Sequence, residues 1–254
     1  MKKNSTTKLF APLSMLLYLS FFLFLHNLKL PSFSIREPPT LVTTETPSQL
    51  LPLLLNNTQG FSLPCTNRTA WSSIKPYFYP GFASFYDRMA AVPAEPWSNL
   101  TYTEYNRTGI RVNADRMMKN RTDTLYNLVM RECYFWDGKY VAKIDSFLRE
   151  ISTQPTWTFS AHDFGLKYWS AGKFTLDLGS TEAARLIGQV LYMMGNKLSN
   201  STISVAKKAV DQRIFSILRN GGFSPTNPAA TRIFLENNWS AVCLSGNFLG
   251  RYEY

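Results

Sequence analysis

Four successive segments repeat apolar side chains at helical spacing, and this pattern constrains the fold more than any other feature of the sequence. The segments cover residues 122–134, 139–151, 180–195 and 201–222. Within them apolar residues recur three and four positions apart, as they do on a helix with one buried face. Short connections between such helices bring neighbours side by side in opposite directions. The sequence therefore predicts an all-α domain of antiparallel helical hairpins, and no strand pattern of comparable quality occurs.

Capping residues predict where these helices begin and end. Ser180 and Ser201 are predicted as N-caps, because a serine hydroxyl accepts hydrogen bonds from the N–H groups of the first turn. Gly195 and the pair Gly221-Gly222 are predicted to end the third and fourth helices, and Asp137-Gly138 separates the first two.

An uncharged apolar run over residues 9–25 follows Lys2, Lys3 and Lys8. The run is short for a membrane-spanning helix and long for the apolar part of a signal peptide, and no small-x-small cleavage pattern follows it. The lysines place the N-terminus in the cytosol. We therefore predict a cytosolic tail and signal-anchor helix over residues 1–28 of a single-pass type II membrane protein, with a cleaved signal and a secreted chain as the alternative.

Two further regions follow the anchor. Residues 29–65 are rich in Pro, Thr, Ser and Asn with few charges, which predicts a stem or linker. Residues 66–254 are predicted to form the helical domain. Between Trp71 and Tyr105 aromatic residues and prolines alternate with little periodicity, which predicts a packed but irregular segment.

Asparagine triplets support exposure to the secretory pathway. Of the fifteen asparagines beyond the anchor, seven begin Asn-x-Ser/Thr, whereas the Ser and Thr content gives roughly three by chance. The compartment predicted is the Golgi or endoplasmic reticulum lumen, or the cell surface. The predicted glycosylation sites are Asn56, Asn67, Asn99, Asn106, Asn120 and Asn200.

The cysteine and histidine content argues against a metal site. Cys65, Cys133 and Cys243 allow one intramolecular disulfide at most, with one cysteine left over. There is no Cys-x-x-Cys or Cys/His ligand spacing, and a single histidine lies beyond the anchor. We therefore predict neither a metal nor a cofactor. Beyond the anchor, 24 Lys and Arg stand against 17 Asp and Glu, a net charge of +7. This excess fits an acidic polysaccharide as partner, and no nucleic-acid partner is predicted.

Sequence elements between about Leu125 and Gly250 carry a family resemblance. They are, in order, WDGKYVAKIDSFLREISTQPTW, SAHDFGLKYW, TLDLGSTEAARLIGQVLYMMGNKLS and NNWSAVCLSG. Their order resembles the N-terminal part of the helical domain in the heparinase II/III-like polysaccharide lyases. The resemblance covers half of the chain and implies an (α/α) toroid of stacked helical hairpins with a cleft for an acidic polysaccharide.

The resemblance also implies a reaction that begins with removal of the C5 proton of a uronic acid. A lyase must neutralise the C6 carboxylate, abstract the C5 proton and protonate the leaving O4 oxygen. A C5-epimerase begins in the same way and returns the proton to the opposite face of the ring. The function implied is a membrane-anchored luminal or extracellular lyase or epimerase.

The resemblance assigns carboxylate binding to Asn237 and Asn238, because amides donate hydrogen bonds to a carboxylate without being ionised. A plain helix N-cap is the alternative role for Asn237. Asn238-Trp239-Ser240 is in addition the seventh glycosylation triplet, and a glycan there would fill the cleft.

His162 is the only histidine beyond the anchor and is therefore the candidate base. The alternative is a structural histidine that packs its loop against Asp163 or a backbone carbonyl. Four aromatic residues are either sugar-stacking surfaces or core residues. They are Trp157, Tyr168, Trp169 and Trp239.

The sequence departs from the family at its catalytic tyrosine. The family carries this residue in a later Gly-Ser-Tyr-x-Glu-Gly-like motif, and neither this motif nor the further toroid helices and C-terminal β-domain is matched. We therefore expect the chain to be a fragment that is inactive by itself. The alternative function is a non-catalytic luminal module that binds glycans or acts as a scaffold.

Overall fold

The computed structural model describes residues 63–222, 228–229 and 238–243, all of them within the compact unit Leu51–Tyr254. Within these ranges the chain forms α-helices and short 3₁₀ and π-helical turns, and no β-strand. Residues 238–243 form a further helical turn. The α-helices are α1 (Arg68–Ile74), α2 (Phe82–Ala91), α3 (Asn99–Thr108), α4 (Val112–Phe135), α5 (Val141–Thr153), α6 (Lys167–Ser170), α7 (Leu178–Met194) and α8 (Asn200–Val210).

Helix α4 is the centre of the described fold. It is 24 residues long and packs against α2, α3, α5 and α7. Helix α8 packs in turn against both α5 and α7. The pair α4–α5 therefore lies against the pair α7–α8, and the prediction of an all-α domain is confirmed for the described residues.

The apolar stripes of the sequence form the core between these helices. Burial of such stripes removes about 25 cal/mol of unfavourable hydration per Å² of apolar surface, which makes this core the main stabilising feature of the domain. The predicted stripe residues that are buried include Leu125, Leu128, Val129, Ile144, Phe147, Leu148, Ile151, Ala183, Ile187, Val190, Leu191, Met194, Ala206, Val210 and Ile214.

Two predicted N-caps are wrong by two and three residues. Helix α7 begins at Leu178 with Asp177 as its N-cap, and Ser180 lies in its first turn, where its hydroxyl accepts a hydrogen bond from the Asp177 N–H. Helix α8 has Ser199 as its N-cap, because the Ser199 hydroxyl accepts from the Thr202 N–H, and Ser201 lies inside the helix. The predicted stop at Gly195 is confirmed as the C-cap of α7.

The prediction of an irregular segment between Trp71 and Tyr105 is wrong, because helices α1, α2 and α3 occupy most of it. These helices are short, and their aromatic residues pack against one another rather than along a single stripe. The rings of Phe78 and Phe82 stack at 4.1 Å, and the Phe82 ring lies 5.2 Å from that of Tyr134. This mutual packing obscures the helical period in the sequence.

A disulfide joins Cys65 to Cys133 and ties the start of the described domain to the last turn of α4. Arg68 reinforces this junction, since its guanidinium donates to the carbonyls of Cys65 at 2.8 Å and Cys133 at 2.6 Å. Cys243 is the cysteine left outside the disulfide, and it is buried.

Across the residues that the structure describes, none of the helices is both long enough and apolar enough to cross a bilayer. The predicted anchor, nearly all of the predicted stem and the triplet at Asn56 lie outside the described residues.

Candidate functional site

The start of α7 is built around the carboxylate of Asp177, which is fully buried. Its Oδ2 accepts hydrogen bonds from the backbone N–H of Gly179 at 3.2 Å and of Phe159 at 3.1 Å. The first bond caps the helix, and the second attaches the segment that precedes the 3₁₀ turn Ser160–His162. One carboxylate oxygen therefore positions two segments of the chain.

Gly179 allows these two segments to approach closely. A Cβ atom at this position would lie 2.4 Å from the carbonyl oxygen of Trp157 and 3.2 Å from the nitrogen of Phe159. Real Cβ atoms do not approach backbone to 2.4 Å, so only glycine fits here. This contact holds the segment leading to His162 against the first turn of α7.

His162 lies beside the second oxygen of the same carboxylate. Its Nδ1 is 2.8 Å from Oδ1 of Asp177, and its side chain is 13% exposed. A carboxylate oxygen accepts hydrogen bonds, so Nδ1 of His162 is the donor in this contact. The acid bonded to His162 is Asp177 rather than Asp163. This geometry is compatible with both alternatives drawn from the sequence, the candidate base and the structural histidine.

Trp239 brings the helical turn 238–243 to His162. The two rings have centroids 4.5 Å apart and planes inclined at 45°. The ring of Phe159 approaches the imidazole edge-on at 5.8 Å. Asn238 is exposed at the start of this turn, and Asn237 lies outside the described residues. The structure therefore brings two predicted site residues, His162 and Trp239, into contact.

Asp163 orders the loop that follows His162. This residue is 1% exposed, and its carboxylate accepts hydrogen bonds from the backbone N–H groups of Tyr168 and Trp169, both at 2.9 Å. The hydroxyl of Tyr102 lies 3.1 Å from its Oδ2. Burial, followed by the charge of Asp163, raises the pKa of Tyr102 far above its usual value. Tyr102 is therefore a permanent hydrogen-bond donor in this loop.

The four predicted stacking residues lie in different environments. Trp157 is a core residue: it is 2% exposed, its indole N–H donates to the Ile151 carbonyl at 2.8 Å, and the Arg213 guanidinium covers its ring at 4.7 Å. A buried indole offers no face to a sugar, so the predicted stacking role of Trp157 is wrong in this structure. Tyr168, Trp169 and Trp239 are each partly exposed.

A polar groove of about 420 Å³ runs between α4 and α7. It adjoins a small cavity of about 20 Å³, since Thr122 and Glu182 line both. Phe159 and Gly179, whose backbone N–H groups donate to Asp177, also line the small cavity. The polar residues of the groove are Lys119, Thr122, Asp123, Tyr126, Glu182, Arg185 and Gln189.

Sequence reasoning missed Asp177 and Tyr102. A signal for Asp177 exists, because Asp followed three residues later by Ser is a variant of the capping box, and both of its reciprocal hydrogen bonds are present. The contact of Asp177 with His162 joins residues fifteen positions apart, and no local pattern predicts it. Tyr102 meets Asp163 across 61 positions and likewise has no local signal.

Within the described ranges, no group of three or more His, Cys, Asp and Glu side chains is arranged to hold a metal ion. The chain matches no model of a known protein family, and no curated protein matches it.

Proposed function

We propose that this chain belongs to a luminal or extracellular lyase or C5-epimerase of uronic-acid polysaccharides, and that His162 is the base which removes the C5 proton. The observation that carries the proposal is the hydrogen bond between His162 Nδ1 and buried Asp177, with Trp239 packed on the imidazole. The resemblance in sequence to the heparinase II/III-like lyases supports the same assignment.

The His162–Asp177 pair is suited to accepting a proton. Asp177 holds the ring in one tautomer, so that Nε2 is the basic nitrogen, and its negative charge stabilises the imidazolium that forms after proton transfer. The N–H groups of Gly179 and Phe159 favour the ionised form of this carboxylate. His162 is therefore fixed by a buried acid that is itself fixed by the backbone.

Asn237 and Asn238 are proposed to bind the C6 carboxylate of the sugar. Trp239 follows them directly in the chain and contacts His162, and this contact supports the proposal that the amides and the base act on the same sugar. Removal of the C5 proton leaves a carbanion that the bound carboxylate stabilises as an enolate-like anion. In the lyase the C4–O4 bond then breaks and an acid, a tyrosine by the resemblance, protonates O4, whereas in the epimerase C5 is reprotonated from the other face.

The proposed architecture is a toroid of helical hairpins. The packing of the pair α4–α5 against the pair α7–α8 supports it, because stacked helix pairs are the repeating unit of such a fold. Tyr168, Trp169 and Trp239 are the proposed sugar-stacking residues, and their partial exposure is compatible with that role.

The proposed location is the secretory pathway, with the N-terminal helix as a type II anchor. The Cys65–Cys133 disulfide supports it, since disulfides persist in oxidising compartments and are rare in the cytosol. The six predicted glycosylation triplets agree with the same location.

The test uses the protein produced from its whole transcript in a eukaryotic secretory host. It is incubated with a panel of uronic-acid polysaccharides, and two signals are followed: ultraviolet absorbance from C4–C5 unsaturated products and deuterium uptake at C5 from heavy water. We expect His162→Ala to lower the rate by about 100-fold or more. Asp177→Asn is expected to lower it by about tenfold or more, because asparagine keeps the helix cap but loses the charge beside the imidazole.

Asp145→Asn is the matched control. Asp145 accepts hydrogen bonds from Ser199 and Thr202 at the start of α8, so the substitution makes the same chemical change at another helix start without a histidine. It is expected to leave the rate within about twofold of wild type. The alternative of a non-catalytic glycan-binding module would be favoured by two results together. These are the absence of both signals with every polysaccharide, and polysaccharide binding that is unchanged by His162→Ala.

A further inference from the structure

The side chain of Asn99 is held by two indole rings. Its Oδ1 accepts hydrogen bonds from the Nε1 of Trp97 at 2.7 Å and the Nε1 of Trp169 at 3.1 Å. An indole N–H can only donate, so the atom that faces both rings must be the amide oxygen. The amide nitrogen Nδ2 therefore takes no part in these two hydrogen bonds, and it belongs to a residue that is exposed.

Asn99 also begins the triplet Asn99-Leu100-Thr101. An N-linked glycan is attached through Nδ2 and leaves the amide oxygen in place, so both indole hydrogen bonds are compatible with the modification. The nearby triplet at Asn120 differs, because there Nδ2 itself donates to Oε2 of Glu95 at 2.7 Å. At Asn67 the side-chain oxygen accepts a hydrogen bond from the backbone N–H of Ala70, whereas at Asn99 both donors to the oxygen are indole rings.

We propose that Asn99 carries an N-linked glycan whose first sugar packs on the indoles of Trp97 and Trp169 and so joins the start of α3 to α6. In the attachment step, Nδ2 displaces the diphosphate of a lipid-diphosphate-linked oligosaccharide. A bond forms between Nδ2 and the sugar C1, the bond from C1 to the diphosphate oxygen breaks, and one amide proton is lost.

The two indoles form a pre-organised surface for a sugar. Both are half-buried and pack beside the buried cluster of Tyr102, Met117 and Met118. The ring of Trp97 lies 5.1 Å from that of Tyr102, and the backbone of Trp169 is held by Asp163. Because the rings are fixed before the sugar arrives, its C–H face packs on them at little entropic cost.

The inference rests on the luminal location proposed above and does not use His162. It assigns the ring of Trp169 to the protein's own glycan rather than to the polysaccharide substrate. Its test uses the full chain made in a eukaryotic secretory host, with mass spectrometry of the glycopeptide that contains Asn99 and hydrogen exchange of residues 167–170. Thr101→Ala removes the triplet and keeps Asn99, whereas Thr101→Ser keeps both. Asn106→Gln removes the next triplet of the same helix, at an exposed position.

We expect Asn99 to be glycosylated in the wild type and in Thr101→Ser. We expect hydrogen exchange at residues 167–170 to be about threefold to tenfold faster in Thr101→Ala. Asn106→Gln should lose one glycan without changing that exchange. If Asn106 carries a glycan and Asn99 does not, this inference is overturned and the luminal location stands. If none of the triplets carries a glycan, both the inference and the luminal location are overturned.

A second measurement separates the glycan from the substitution. An endoglycosidase that leaves one sugar on the folded wild-type protein should preserve the slow exchange of residues 167–170. An amidase that removes the whole glycan converts Asn99 into aspartate, whose carboxylate can still accept both indole hydrogen bonds, and it should raise the hydrogen exchange of residues 167–170 to the Thr101→Ala rate. Equal exchange after both treatments would show that the first sugar makes no contact with the indoles and would overturn the proposal.

Discussion

Arg131 on α4 shows how single residues stabilise the described domain through charge. Its side chain is 4% exposed and makes a bidentate ion pair with Asp137, in which Nη2 donates to Oδ2 at 2.8 Å and Nη1 donates to Oδ1. Nε donates to Oδ1 of Asp87 at 3.1 Å. The guanidinium also lies over the ring of Phe135 at 4.4 Å. A cation that is removed from water in this way depends on its carboxylate partners.

Asp137 therefore gives the domain a pH-dependent stability. Hydrogen bonds from Arg131 lower the pKa of Asp137 from 3.8 to about 2. The folded state thus binds this proton less tightly than the unfolded state, so the stabilisation is complete above about pH 5 and is lost as the pH falls from about 4 to 2. Because Asp137 is 46% exposed, we expect Asp137→Asn to lower the free energy of unfolding at pH 7 by only about 1 kcal/mol.

Urea unfolding of wild type and Asp137→Asn at pH 7 and near pH 2.5 checks this prediction. The difference should shrink towards zero at the lower pH. Asp123→Asn is the control, because Asp123 pairs with Lys119 on the exposed side of the same helix, and it should cost about 0.5 kcal/mol or less. A loss for Asp137→Asn that is equal at both pH values would contradict the assigned ion pair.

Single residues also show where sequence reasoning stops. His162 could be selected because it is the only histidine beyond the anchor, and Trp239 because it follows two asparagines. Their contact, and the role of Asp177, depend on how α7 meets the 3₁₀ turn Ser160–His162. Trp157 and Trp169 look alike in the sequence, yet one is buried in the core and the other is bonded to Asn99. Tertiary packing, rather than residue type, separates their roles.

At the scale of elements, the start of α7 depends on the close approach at Gly179. Glycine in a helix is ordinarily less favourable than alanine by about 1 kcal/mol. Here, however, a Cβ would meet the Trp157 carbonyl oxygen at 2.4 Å. We therefore expect Gly179→Ala to lower the free energy of unfolding by about 1–3 kcal/mol, since α7 or the segment 157–159 must move.

Thermal and urea unfolding measure this loss. Gly172→Ala is the matched comparison, because its Cβ would meet no atom within 4 Å, although its φ of +60° disfavours alanine. Gly172→Ala should lower the free energy of unfolding by about 1–2 kcal/mol through backbone conformation alone. It should leave the amide hydrogen exchange of residues 157–162 unchanged, whereas Gly179→Ala should accelerate that exchange. Equal exchange in the two variants would argue against the close approach as the feature that positions His162.

The elements also divide into those that the sequence predicts and those that it does not. Long helices with one buried stripe, such as α5 and α7, were predicted because their core residues recur with one period. Helices α1, α2 and α3 were not predicted. In α2, for example, the ring of Phe82 packs on Phe78, which precedes the helix, and on Tyr134 of α4, rather than continuing an apolar stripe along one helix. Helix starts were misplaced because Ser, Asp and Asn all suit an N-cap, and several occur close together before α7 and α8.

At the scale of the whole described domain, the disulfide joins Cys65 to Cys133, which are 68 positions apart in the sequence. Cross-linking a loop of this size restricts the unfolded chain and stabilises the fold by about 2–4 kcal/mol. We therefore expect a reductant to lower the urea midpoint of the wild type. The same treatment should have no effect on the double variant Cys65→Ala/Cys133→Ala.

Cys243→Ser provides the control for this prediction. Cys243 is buried outside the disulfide, so its replacement changes stability by itself but should leave the response to the reductant intact. A wild-type midpoint that is the same with and without reductant would contradict a stabilising disulfide.

The same disulfide determines how the domain would respond to mechanical tension. A pulling force that enters the chain on the N-terminal side of Cys65 passes through the two sulfur atoms to Cys133. Residues 66–132, which include α1, α2, α3 and most of α4, would therefore stay slack while the force acts on α5 and the elements after it. With the N-terminal anchor proposed above, the disulfide would shield residues 66–132 from a force that reaches the domain through that anchor.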